Sequence, residues 1–142
     1  MQPDKLSSAL EKALEDQLLD LEWHALSASA PLQDVETFEA AALKKHGVDF
    51  APVPPRYHTT YFSHIWVGDY AAGYYAYAWT AVLAADSAAW FAEHGGMTAA
   101  NGQKFRDGIL SRGATKDAHQ LYLDFRGREP SANALLVHRG LK

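Results

Sequence analysis

The stretch that decides the fold is Tyr70-Ala71-Ala72-Gly73-Tyr74-Tyr75-Ala76-Tyr77-Ala78-Trp79-Thr80-Ala81-Val82-Leu83-Ala84-Ala85, which carries no charged residue and is closed by Asp69 and Asp86. It is about four residues short of the roughly 20 that span a bilayer. Its alanine content favours helix, and the apolar run predicts a buried helix from about Tyr70 to Glu93 in a water-soluble fold rather than a membrane span. His94-Gly95-Gly96 closes that helix, since glycine tolerates the left-handed backbone of a C-cap.

Upstream, Leu6, Leu10, Leu14, Leu18, Leu21 and Ala25 step by three and four and predict one apolar helix stripe, ended by Pro31. Glu11, Lys12, Glu15, Asp16 and Asp20 fall largely off it, and the Glu11-Lys12 and Lys44-Lys45 clusters read as solvated helix faces. Asp34 is an N-cap for a second helix with Val35, Phe38, Ala42 and Leu43 inward, and Gly47 is its C-cap. Pro52, Pro54 and Pro55 forbid helix over 48–56, because proline lacks an N–H and restricts its predecessor. Downstream, Thr98, Thr115 and Ser131 read as caps of three shorter helices ending at Gly113, Gly127 and Gly140. The expectation is an all-α helical bundle in one domain: N-terminal helices over 1–47, a Pro-rich linker over 48–56, and helices over 57–142.

Composition narrows the function. The 142 residues are 48% hydrophobic and 21% charged, with no cysteine and a formal charge of −4. Disorder, a disulfide scaffold and cysteine chemistry are excluded, and an acidic chain is a poor nucleic-acid partner. The acidic, amphipathic start is not a secretory signal, so the expected location is the cytoplasm, with no membrane partner.

Histidines stand at 24, 46, 58, 64, 94, 119 and 138, and none forms H-E-x-x-H. The expected metal set in this chain is none. Ser63-His64 lacks the G-x-S-x-G elbow of a serine hydrolase, and Gly95-Gly96 lacks the phosphate-loop pattern. Arg126 and Arg128 flank a helix exit, where pairing inside the protein is the expectation.

The informative constellation is His64 with Tyr70, Tyr74 and Tyr77. On a helix, positions i, i+4 and i+7 share a face. Phenols are costly to bury without hydrogen-bond partners, so such a stripe either lines a cleft or forms an aromatic core with every hydroxyl satisfied. Spacing alone leaves both open.

Tyr61-Phe62-Ser63-His64-Ile65-Trp66, then Gly68, then Tyr70 to Trp79, closely resembles a signature of the thimet-oligopeptidase-like zinc metallopeptidases, nearest to the bacterial peptidyl-dipeptidase branch. Val53-Pro54-Pro55-Arg56-Tyr57, Phe91 to Gly96, Phe105-Arg106, Ile109 to Gly113, Phe125 to Pro130 and His138 to Leu141 extend the likeness over roughly Leu18 to Leu141. The resemblance implies the C-terminal helical portion of a larger two-lobed peptidase that hydrolyses oligopeptides. Zinc in the complete family enzyme is held by H-E-x-x-H and a further Glu, ligands upstream of anything in this chain.

By motif position, Tyr77 with Tyr74 matches the donors to the tetrahedral oxyanion. His64 and Tyr70 match contacts to the substrate backbone, and Val67, Gly68 and Asp69 match a loop that flexes as substrate enters. The loop is poorer in glycine than in relatives, and Ala81 stands where relatives carry Glu. The chain alone is expected to be inactive. Its expected partners are an oligopeptide and either the remaining peptidase or a second copy, through the face the peptidase would cover. The alternative is a non-catalytic peptide- or protein-binding module derived from that family.

Overall fold

A computed structural model describes residues 14–142. These form seven α-helices and two 3-10 turns with no strand among them, so the all-α expectation holds. The chain divides into two compact units, one up to Ala78 and one over Trp79–Lys142.

In the first unit α1 is Glu15–His24 and α2 is Val35–Lys45. The Asp34 carboxylate caps α2, accepting the Thr37 N–H at 3.0 Å, and Gly47 takes φ +69°, as the sequence predicted. Glu22 on α1 ties the two helices together by accepting from Lys45 Nζ at 2.8 Å and meeting His46 Nε2 at 2.8 Å. The segment 48–56 contains no helix, and Val48 and Pro55 within it are buried. A 3-10 turn at Thr59–Tyr61 and the one-turn helix α3, Ser63–Trp66, follow. Glu39 of α2 holds this region: its Oε2 accepts from both the N–H and the hydroxyl of Thr59 at 2.8 Å, and its Oε1 meets His58 Nδ1. Trp23 Nε1 donates to Thr59 Oγ1 at 2.9 Å, and Trp66 Nε1 to the Thr59 carbonyl at 2.8 Å.

The inward face of α1 differs from the leucine stripe. Leu19 and Asp20 have no exposed surface and Glu15 is buried, whereas Leu14 and Leu21 are exposed. Leu6 and Leu10 lie outside the described residues. The helix is turned this way because the Asp20 carboxylate accepts backbone N–H groups inside the unit, a demand that outweighs leucine burial. α1 also stops at His24, well before Pro31. Beyond it the Ser27 carbonyl accepts the Ala30 N–H at 3.0 Å and closes a turn.

The helix α4, Ala76–Glu93, gives its first turn to the first unit and the rest to the second. It starts at Ala76, not Tyr70. Residues 69–75 are turns, Ala72 has φ +53°, and the Ala72 and Tyr74 N–H groups are taken by Asp20 instead of an earlier turn of helix.

The second unit continues with α5 (Ala99–Gly108), a 3-10 turn at Leu110–Arg112, α6 (Ala118–Arg126) and α7 (Asn133–His138). Thr98 caps α5, Gly127 ends α6 at φ +78°, and Gly140 follows α7 at φ +68°. The expected cap at Thr115 is corrected to Asp117, which accepts the Gln120 N–H while the Thr115 hydroxyl donates to the Arg112 carbonyl. At α7 the cap position falls on Ala132, with the Ser131 hydroxyl accepting the Asn133 N–H at 3.3 Å. Trp90, Phe91 and Phe125 form the aromatic core, with Phe105 and Ile109 packed against them.

Above that core Asp86, 1% exposed, accepts from Tyr122 Oη at 2.7 Å, Arg126 Nη2 at 3.2 Å and Arg128 Nη2 at 2.7 Å. Arg126 also forks onto Glu93 with two bonds of 2.7 Å, so the arginines pair inside the protein as the sequence suggested. Burial alone would raise the Asp86 pKa, but hydrogen bonds from Arg128, Tyr122 and Arg126 outweigh it and hold the carboxyl at about 2, against an ordinary 3.8.

The depressed value means that the stability supplied by Asp86 is complete above pH 4 and is lost as pH falls through about 2. Asp86→Asn removes the charge that pairs with the buried Arg126 and the exposed Arg128. It is expected to lower Tm at pH 7 by roughly 10 °C and to flatten the acid dependence between pH 4 and 2, as followed by circular dichroism melts.

Candidate functional site

His64 sits on α3, Tyr70 and Tyr74 in the turns after it, and Tyr77 in the first turn of α4. The shared helix face expected for the three tyrosines is therefore absent, yet their rings meet. Tyr70 stacks on Tyr77 at 5.2 Å between centroids, Tyr74 lies 5.0 Å from Tyr77, and Tyr70 lies 6.3 Å from Tyr74. The His64 ring stands 6.1, 5.4 and 6.5 Å from Tyr70, Tyr74 and Tyr77, edge-on to each.

Two backbone devices build this convergence. Asp20 accepts the Ala72 N–H on Oδ1 and the Tyr74 N–H on Oδ2, both at 2.9 Å, while His24 Nδ1 lies 2.8 Å from Oδ1. This carboxylate fixes the chain over Ala72 to Tyr74 and so sets the directions of the phenols. The second device is the Val67-Gly68-Asp69 loop, folded back onto α3. The Val67 and Gly68 N–H groups both donate to the Ser63 carbonyl at 3.0 and 3.1 Å, and the Tyr70 N–H donates to the His64 carbonyl at 3.3 Å. Gly68 is required by space: a Cβ there would meet the His64 carbonyl oxygen at 2.7 Å.

Burial separates the phenols. Tyr74 is 9% exposed and belongs to a core with Phe62 and Ile65, against which Tyr57 and Tyr70 pack. Tyr77 is 45% exposed and its neighbour Tyr75 is 56% exposed. Burial first, then the Asp16 charge, pushes the Tyr74 phenol up to about 12. Tyr77 is raised above its ordinary value of 10, chiefly by a hydrogen bond with Tyr70. Both therefore stay protonated, and remain hydrogen-bond donors, throughout the neutral range.

Tyr57, which opens the aromatic stretch after the prolines, is also central to the cluster. It stacks on Phe62 at 5.0 Å, stands 4.9 Å from His64 and 6.1 Å from Tyr74. Its N–H donates to Asp16 Oδ1 at 3.2 Å. Nothing in the sequence marks Asp20, an acid off the apolar stripe, for burial.

The model of Peptidase family M3 matches residues 7–141, and the chain belongs to that family. It is 48% identical over 132 residues to a dipeptidyl carboxypeptidase of Escherichia coli (strain K12), covering 93% of this chain and 19% of the relative. It is 52% identical over 124 residues to the dipeptidyl carboxypeptidase of Salmonella typhimurium, covering 87% and 18%. It is 42% identical over 132 residues to oligopeptidase A of Escherichia coli (strain K12), covering 92% and 19%. The chain thus spans about a fifth of the length of these relatives.

The family implies a metallopeptidase, and zinc in the full enzyme. Among the described residues no three metal-ligating side chains come together, so this set does not fit a zinc ion. Nor is any helix among them long and apolar enough to cross a membrane.

Gly68→Ala is expected to push the His64 carbonyl aside and to cost on the order of 1–3 kcal/mol, lowering Tm by roughly 5 °C. Val67→Ala, at a side chain 85% exposed, should move Tm by no more than about 2 °C. Thermal melts of the two variants check this directly.

Proposed function

We infer that the His64, Tyr70, Tyr74 and Tyr77 face is the substrate wall of an oligopeptide-hydrolysing metallopeptidase, and that Tyr77 is its principal oxyanion donor. The supporting observation is the position of Tyr77: a protonated phenol at the open rim of the cluster, its ring buttressed by Tyr70, Tyr74 and His64. Peptide hydrolysis converts a planar carbonyl into a tetrahedral oxyanion. A preorganised O–H aimed at that oxygen acts mainly where the charge develops, in the transition state. Tyr77 offers such a donor on a short lever, while the more deeply buried Tyr74 holds the ring array in place and supplies a second hydroxyl.

His64 and Tyr70 contact the peptide backbone beside the cleaved bond. The Val67-Gly68-Asp69 loop sets their spacing through its bonds to Ser63 and His64. The zinc and general base come from the rest of a complete enzyme working in the cytoplasm on oligopeptides, and the chain by itself is inactive. The names of the relatives, dipeptidyl carboxypeptidase and oligopeptidase A, support this substrate class.

The test is a chimera in which this chain replaces the matched segment of the Escherichia coli dipeptidyl carboxypeptidase. Tyr77→Phe keeps the ring and is expected to lower kcat by on the order of 10²–10³ with little change in KM. Tyr75→Phe should alter kcat by only a few-fold. If Tyr77→Phe leaves kcat intact, or Tyr75→Phe is equally damaging, the cluster is packing and the assignment fails.

A further inference from the structure

A histidine at a working site is commonly oriented through its second ring nitrogen, by a hydrogen bond with a carboxylate or a backbone carbonyl. His64 has no such anchor. Its Nδ1 is buried and has no hydrogen-bond partner among the described residues. The surroundings are aromatic instead: Tyr57 at 4.9 Å, Tyr74 at 5.4 Å, Phe62 at 6.0 Å and Tyr70 at 6.1 Å between ring centroids. The outer torsion of a histidine side chain has only a broad preference of its own, so these rings decide how the imidazole is turned. Tyr57 is the nearest of them, and it lies outside the set assigned to the substrate.

Tyr57 is itself firmly held. Its ring stacks on Phe62 at 5.0 Å, with 8° between the planes, and Phe62 has no exposed surface. The Arg56 guanidinium carbon lies 5.4 Å from the same ring centroid. The Tyr57 N–H donates to Asp16 Oδ1 at 3.2 Å, and the buried Pro55 restricts the backbone just before it. Asp16 and Asp20 stand four residues apart and so share a face of α1. Asp16 takes the Tyr57 N–H, and Asp20 takes the Ala72 and Tyr74 N–H groups. One helix face therefore pins the chain on both sides of His64, at Tyr57 before it and at Tyr74 after it.

We propose that Tyr57 is a positioning residue of the substrate wall: its ring, pinned through Asp16, fixes the rotation of the His64 imidazole and so the direction in which His64 meets the peptide backbone. This rests on the substrate-wall assignment and deepens it. The ring carries the role, not the hydroxyl. A contact to the peptide backbone is made in the ground state and the transition state alike, so a misdirected His64 should appear in KM rather than kcat.

The experiment uses the same chimera, with each change made alone and in a His64→Ala background. His64→Ala is expected to raise KM by about 10-fold. Tyr57→Leu, which removes the ring, should raise it by about 3- to 10-fold, and Tyr57→Phe, which keeps the ring, by less than about two-fold. Asp16→Ala removes the acceptor of the Tyr57 N–H from a helix that accommodates alanine, and should raise KM by about 3-fold. If Tyr57→Leu does not fold, Asp16→Ala carries the comparison. A residue that acts through His64 adds nothing once His64 is gone, so neither change should raise KM further in His64→Ala. Additive effects, or an unchanged KM in Tyr57→Leu, overturn the proposal. Nuclear Overhauser contacts in the 142-residue chain give a readout that needs no turnover. Those from the His64 ring protons to Tyr70 and Tyr77 should weaken in Tyr57→Leu and Asp16→Ala and persist in Tyr57→Phe, and contacts unchanged in all three overturn the proposal. The two readings fail separately: an unchanged KM in His64→Ala or an unchanged kcat in Tyr77→Phe removes the substrate-wall assignment, whereas additivity with His64→Ala removes only the role of Tyr57.

Discussion

The buried carboxylate of Asp20 is the contact on which the first unit depends. A charge with no exposed surface must be matched by donors, and here they are the N–H groups of Ala72 and Tyr74 with His24 alongside. Satisfying it orients α1, delays α4 until Ala76 and holds Ala72 in a left-handed conformation that costs a non-glycine residue energy. It also drops Tyr74 into the core while leaving Tyr70 and Tyr77 at the rim. The phenol array follows from where one acid is desolvated.

Around that contact the remaining polar groups of the unit are used in the same way. Glu39 takes both donors of Thr59, Asp16 takes the Tyr57 N–H, and Glu22 ties α1 to α2. Glu39 and Asp16 thereby fix the chain at Thr59 and Tyr57, while Glu22 pairs with Lys45 and His46 at the end of α2. The second unit is built by itself around Asp86, whose two arginines and tyrosine draw α4, α6 and the exit loop of α6 together. In both units apolar packing supplies bulk and a buried aspartate supplies registration.

This explains what could and could not be read from the sequence. Asp34, Gly47, Thr98 and Gly127 act within one turn of their helices, and their chemistry is local enough to recognise. Thr115 and Asp117 compete for one helix start, and the choice turns on a hydroxyl finding the Arg112 carbonyl instead. The Tyr70 start and the leucine stripe failed for a longer-range reason. Asp20 reaches residues more than fifty positions away, and no periodicity marks an acid that will be buried. The four site residues were picked out by motif, and the structure does bring them together. It does so through turns and a glycine packed against the His64 carbonyl rather than through a helix face. Tyr57 and Arg56 escaped because nothing in a proline-rich stretch says which side chains will pack on an aromatic cluster.

The most direct test of the role of Asp20 is amide hydrogen exchange in Asp20→Asn, residue by residue. Asparagine retains one acceptor but neither the charge nor the paired carboxylate oxygens. The account predicts that protection of the Ala72 and Tyr74 amides falls by about 10- to 100-fold, while the amides of α2 keep theirs. Unchanged protection at Ala72 and Tyr74 would contradict it.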